Sequence, residues 1–249
     1  MRSLGANDVQ SLVAKAFTLE AITEKPGCTT RYEDLPGKPL QDFVIAGINC
    51  SHYFGLLTNK LEKDKSAPIF EYNLSALKDS NRHKSSKYIN FGLLEIMFPV
   101  VYARLKESDP AKVIRKVIDE IKSTTNRDVQ YLLETRQLAW STSTSPHKTG
   151  FDPSRYQKQT SVWELYMAVM ADFADEGSNF QWTNQFNEGL PILTGFFDAY
   201  SRSGEIMSTT KQTFEIQKAK NPKLAVGILA DMCAAGIFLW LSFNDHSVG

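Results

Sequence analysis

Apolar residues along most of this chain recur at intervals of three and four, the spacing that places them on one side of an α-helix. Val9, Leu12, Val13 and Ala16 form the first stripe behind the candidate caps Asn7 and Asp8, and the stripe continues into Glu20. A second helix is predicted over Leu40 to Lys63, with Phe43, Val44, Gly47, Ile48 and Phe54 apolar and Gln41 and Asp42 in its first turn. The polar stretch from Lys60 to Lys87 reads as a connection with one short helix. A third helix is predicted from Tyr88 to about Lys106, kinked at Pro99. Asp109-Pro110 opens a fourth, striped by Val113, Ile114, Val117, Ile118 and Ile121, and Thr125 caps a fifth through Val129, Leu132, Leu133 and Arg136.

Periodicity stops between Ser141 and Gln159, which predicts an ordered loop or lid. It resumes in a helix from Ser161 to about Phe186, where Trp163, Tyr166, Val169, Met170 and Phe173 share a broad face. Glu164, Ala168, Asp172 and Asp175 follow at steps of four, four and three on another. Two further helices, roughly Pro191 to Arg202 and Gly204 to Lys220, precede a last one opened by Asn221-Pro222. No alternating strand pattern and no internal repeat interrupts this series. The expected fold is all-α, a single domain over the 249 residues.

The last segment, Leu224 to Phe243, is nearly continuous apolar sequence and about as long as the roughly 20 residues that span a bilayer. Asp231 stands in its middle, and no basic cluster closes its far end. A charge at that depth is costly in lipid, so a buried central helix is expected rather than a span.

Lys plus Arg and Asp plus Glu are both 28, so the net charge is zero and no overall field draws in nucleic acid or a membrane surface. Any anion site is local. Three scattered cysteines, Cys28, Cys50 and Cys233, fit neither a disulfide framework nor a Cys-rich metal site. A cytoplasmic protein without a signal peptide is expected.

Glu20 ends a buried stripe, so it must be paired, protonated or bound to something; a salt bridge to Lys25 or Arg136 is the ordinary solution. The turn after it, Lys25-Pro26-Gly27-Cys28-Thr29-Thr30-Arg31, offers a cation, a glycine that frees backbone N–H groups, hydroxyls and a guanidinium, all suited to phosphate oxygens. Read plainly it is also a helix stop followed by a polar turn. A basic run, Arg82-His83-Lys84-Ser85-Ser86-Lys87, precedes a helix start. Asp128 after Thr125, and Glu164 after Ser161, match the capping box. The acidic stripe through Asp172 suits Mg²⁺ beside a polyphosphate, or a solvated helix face. Phosphate-loop, dinucleotide-binding and zinc-protease signatures are absent.

Taken together, these pieces resemble the triphosphoribosyl-dephospho-coenzyme A synthase family. Glu20 with Lys25-Pro26-Gly27 is similar to that family's Glu, spacer and Lys-Pro-Gly, and Asp42-Phe43 follows in the next helix. Asn90-Phe91-Gly92 with Pro99, Thr125 with Asp128, and Ser161 to Asp172 resemble its Asn-Leu-Gly, Thr-x-x-Asp and Leu-x-Glu-x-Met helices. Cys28-Thr29-Thr30 departs from the family's Leu-Val-Asp, and its C-terminal Asp-Thr and Arg-Gly elements are not recognisable around Asn221 to Ala235.

The resemblance implies an all-helical transferase that displaces adenine from ATP with a ribose hydroxyl of a dephospho-coenzyme A-like acceptor. It implies Glu20 or Glu164 as general base, and Asp42, Asp128 and Asp172 holding Mg²⁺. Lys25, Arg31 and Lys87 then take phosphates, with Gly27 and Asn90 also in the nucleotide site. Nucleic acid and membrane are not expected partners, and a homodimer stays open. The alternatives are another nucleotide or phosphoribosyl transferase on the same scaffold, and a non-catalytic helical protein that binds a nucleotide or a partner.

Overall fold

A computed structural model describes residues 3–82, 89–141, 152–172, 189–222 and 224–244. Among them are ten α-helices and no strand. The first six are α1 (Ala6–Ile22), α2 (Leu40–Lys63), α3 (Asn73–Ser80), α4 (Phe91–Lys106), α5 (Val113–Lys122) and α6 (Asn126–Ser141). After a short 3-10 turn at Pro153–Tyr156 come α7 (Val162–Asp172), α8 (Gly189–Ser203), α9 (Met207–Lys220) and α10 (Val226–Asn244).

α1 and α2 pack antiparallel, with Gly47 facing Phe17 and Gly55 lying under the Ala6 carbonyl. The approach is close because Gly47 has no side chain: a Cβ there would sit 2.6 Å from that of Phe17. α10 is the spine of the fold, contacting α1, α4, α8 and α9, and its residues Met232 to Leu239 are all buried. Phe54 of α2 stacks on Phe98 of α4 with ring centroids 4.3 Å apart, joining the two halves of the core.

α10 is long and apolar enough to cross a membrane, but 67% of its most apolar window is buried against the chain itself. Buried Arg104 of α4 donates to Ser242 Oγ at 3.0 Å and to the Ser242 carbonyl at 2.9 Å, and its guanidinium lies 4.1 Å from the Phe243 ring centre. A cation fixed on the last carbonyls of a helix favours that end electrostatically and binds α10 to α4. Tyr200 of α8 bonds Thr210 at 2.8 Å and Cys233 at 3.4 Å, tying α8 and α9 to the same spine.

Several boundaries move for local reasons. α1 is capped two or three residues earlier than its sequence suggests, at Gly5: the Asp8 carboxylate accepts from Gly5 N at 3.0 Å, so Asp8 closes the first turn from inside. The helix predicted from Asp109 begins at Val113, because Asp109 is spent on a turn in which its carboxylate accepts from Ala111 N at 2.9 Å. The first helix predicted after Phe186 begins at Gly189 and the next at Met207. The short helix in the connection after α2 is α3. The loop predicted from Ser141 splits, since residues 142–151 lie outside the described residues and 157–159 are held on α6 by Asn126 and Gln130.

Candidate active site

α1 ends at Ile22 with an extended Thr23, ahead of Pro26 and Gly27, so its last carbonyls lack full helical partners. Lys25 fills that gap from within. Its ammonium donates to the Glu20 carbonyl and to the Thr23 carbonyl at 3.0 Å, and pairs with Glu20 Oε1 at 3.1 Å. Three protons therefore meet three internal oxygens, and the side chain is wholly buried. Burial opposes the charge on Lys25, but the Glu20 carboxylate, with smaller contributions from Cys233 and Cys28, outweighs it, and the pKa lies above the ordinary lysine value. Of the two salt bridges considered for Glu20, the structure makes the one to Lys25; Arg136 pairs instead with Glu95.

Beyond Lys25 the chain folds into a tight loop. Gly27 adopts φ +79° and Gly37 φ +70°, conformations open to glycine at little cost. Thr29 Oγ1 donates to the Lys38 carbonyl at 2.6 Å and accepts from Leu35 N at 3.1 Å, and Asp34 receives Leu40 N at 2.7 Å at the start of α2. The loop is thereby closed on itself and fixed to the start of α2.

This loop, α1, α2, the start of α4 and the first turns of α10 enclose a cleft of about 220 Å³. Glu20, Asp231, Asn90, Cys28, Thr29 and Lys38 supply its polar side chains. Phe43, Leu93 and Val226 supply apolar wall, and Gly227 and Ala230 keep the α10 side shallow. Asn90 opens α4 without spending its side chain on a capping bond, which leaves the amide for the cleft. Burial and the neighbouring Glu20 push the Cys28 thiol up to about 11, so it is a neutral wall group rather than a nucleophile.

Of the residues predicted from sequence, Glu20, Gly27 and Asn90 line this cleft. Lys25, expected on phosphate, is not among the lining residues and pairs with Glu20. Arg31 is exposed and lies over the Tyr32 ring at 4.6 Å. Asp42 is buried in the first turn of α2, one residue before the cleft-lining Phe43. Lys87 lies outside the described residues, as does Asp175.

The remaining acids are elsewhere. The Asp128 carboxylate accepts from Phe70 N at 3.1 Å and Thr125 N at 3.2 Å, capping α6 beside a second cleft that also holds Tyr102 and Lys106. Burial raises the Asp128 pKa even though these backbone donors pull it down. Glu164 accepts from the Thr160 backbone N–H at 2.9 Å and the hydroxyl at 2.7 Å, so it serves the exposed start of α7. Asp172, also exposed, takes Tyr156 Oη at 2.7 Å and Arg155 at 2.9 Å. Asp42, Asp128 and Asp172 thus occupy three separate environments. Among the described residues no group of three or more potential ligands is arranged to hold a metal ion. The Glu164 helix packs on α5 and α6, away from the cleft walls, so the two candidate bases do not meet.

Asp231 is the residue that sequence reasoning missed. Its signal was present as the single charge in an apolar helix, read there only against a membrane span.

A family model described as CitG, ATP:dephospho-CoA triphosphoribosyl transferase, matches residues 6–214. The chain belongs to this family. No curated protein and no solved structure matches it. The CitG match takes in the cleft walls from α1, the Lys-Pro-Gly loop, α2 and α4, but it ends before α10. Asp231 therefore reaches this cleft from sequence beyond the matched span.

Proposed function

We propose that the Glu20–Asp231 cleft is the reaction centre in which this CitG family member transfers the triphosphoribosyl group of ATP to a dephospho-coenzyme A hydroxyl. The observation that carries this reading is the meeting of Glu20, Asp231 and Asn90 in one concave site. In the transfer, the acceptor oxygen forms a bond to the anomeric carbon of the ATP ribose. The bond from that carbon to adenine breaks, and its electron pair leaves with the base. Positive charge develops on the sugar ring as it does in glycoside hydrolysis, and a carboxylate beside the ring stabilises it. Asp231 is assigned this role.

Glu20 is assigned the hydroxyl proton. Its Oε1 is held by Lys25, which fixes the rotamer of a carboxylate that lines the cleft. Asn90 fits the recognition of a ribose hydroxyl or the purine edge, since an amide both donates and accepts. Glu164 is not assigned to the reaction because its carboxylate caps α7.

Mg²⁺ commonly takes one or two protein carboxylates and completes its shell with phosphate oxygens and water. Glu20 and Asp231 are committed to the hydroxyl and the sugar, and none of the three aspartates expected from sequence lines the cleft; an ion entering with ATP would be held chiefly by phosphate oxygens and water and would neutralise triphosphate charge. Three free cysteines, two of them buried, support a cytoplasmic setting. Adenine release from ATP with dephospho-coenzyme A as acceptor tests the reading. Glu20→Gln and Asp231→Asn are each expected to lower kcat by about 10²-fold or more. Full turnover by either variant removes its assigned role.

A further inference from the structure

The cleft needs a cation if it is to hold a triphosphate, and the Lys-Pro-Gly lysine is already committed. Each Lys25 proton faces Glu20 or the Thr23 carbonyl. Turning it toward a ligand would expose helix-end carbonyls and leave a buried carboxylate without its partner. Arg31 is over Tyr32 and does not line the cleft.

Lys38 does line it. It is the last residue of the turn Leu35-Pro36-Gly37-Lys38, which Lys38 N closes on the Leu35 carbonyl at 2.9 Å. Proline in second place and glycine at φ +70° in third are the residues a type II turn requires. The Thr29 hydroxyl holds the Lys38 carbonyl, and Pro39 restricts its backbone to extended conformations. Among the described residues no carboxylate pairs with its ammonium. Its charge acts on Cys28 together with those of Glu20 and Asp231, which places all three in one electrostatic neighbourhood.

We infer that Lys38, not Lys25, is the cation that takes phosphate oxygens of ATP in this cleft; the inference rests on the cleft being the ATP site. Division of labour follows: the buried lysine holds the base, and the turn lysine holds the donor's charge. A flexible ammonium on a rigid turn suits a triphosphate, because it reaches several oxygens without a fixed fork.

The test is calorimetric titration of ATP, and separately of adenosine, into the full chain and its Lys38→Gln and Lys38→Arg variants. Lys38→Gln is expected to weaken ATP about tenfold or more, to leave adenosine within about twofold, and to be largely rescued in Lys38→Arg. Unchanged ATP affinity in Lys38→Gln overturns the inference while leaving the ATP cleft standing. Equal weakening of ATP and adenosine also overturns it, since the turn would then only shape the cleft. Absence of ATP binding by the unaltered protein removes the cleft reading itself, and the inference with it.

Discussion

Lys25 Nζ lies 3.1 Å from Glu20 Oε1 with the lysine side chain wholly buried, five residues along a chain that has reversed through the end of α1. This contact converts a helix stop into a support for the cleft's carboxylate. Lys25→Met keeps the approximate volume and removes the charge. It is expected to cost about 3–5 kcal/mol in urea unfolding, as for one partner removed from a buried pair. In variant protein that remains folded, kcat for adenine release should fall while the KM for ATP stays within about threefold. A large rise in KM with kcat intact would mean that Lys25 touches the nucleotide directly.

Asp231 separates the catalytic reading from a structural one. It is half-buried on the cleft face of α10, so Asp231→Asn should leave the melting temperature within a few degrees while turnover drops. A variant that loses stability and activity in parallel would assign Asp231 to the packing of α10 instead.

The second buried ion pair gives a pH prediction. Arg136 Nη2 lies 2.7 Å from Glu95 Oε2, both side chains fully buried, one turn before Pro99 interrupts the hydrogen bonding of α4. Burial pushes the Glu95 carboxyl up from 4.5 to about 7, against the pull of Arg136. A carboxyl whose folded pKa is raised contributes stability that is full below its unfolded pKa and lost as pH rises through the folded one. The shift from 4.5 to about 7 corresponds to about 3 kcal/mol. Glu95→Gln, which resembles the protonated form, should match the unaltered protein near pH 4.5 and exceed its stability at pH 8. Chemical unfolding at the two pH values decides it: a glutamine variant that is less stable at pH 8 would make the ionised pair net stabilising.

The α1–α2 contact predicts an overpacking cost. Gly47→Ala places a methyl 2.6 Å from Phe17 Cβ, so the two helices must separate or Phe17 must turn. A loss of about 1–3 kcal/mol is expected by thermal or urea unfolding. Because Glu20 and Phe43 of the cleft wall lie about one turn from this contact on the same two helices, the ATP KM should rise with it. Unchanged stability would show that the pair opens freely.

The all-helical class, the extent of α2, the burial of the last helix and the burial of Glu20 on its stripe were legible in the sequence. Those features rest on local relationships: apolar spacing, proline and glycine as breakers, and a carboxylate on an apolar stripe. The capping roles of Asp128 and Glu164 were legible for the same reason, since a capping box closes within four residues. Tertiary structure decided which candidates share a site. Lys25 turns inward because the open end of α1 and the Glu20 carboxylate saturate its three protons. Asp172 remains with Arg155 and Tyr156, while Asp231 reaches Glu20's cleft from more than two hundred residues away in sequence, on a helix whose apolar pattern spoke only of burial. Spacing along a chain determines which face a side chain takes on its own helix, and only the packing of helices determines what that face meets.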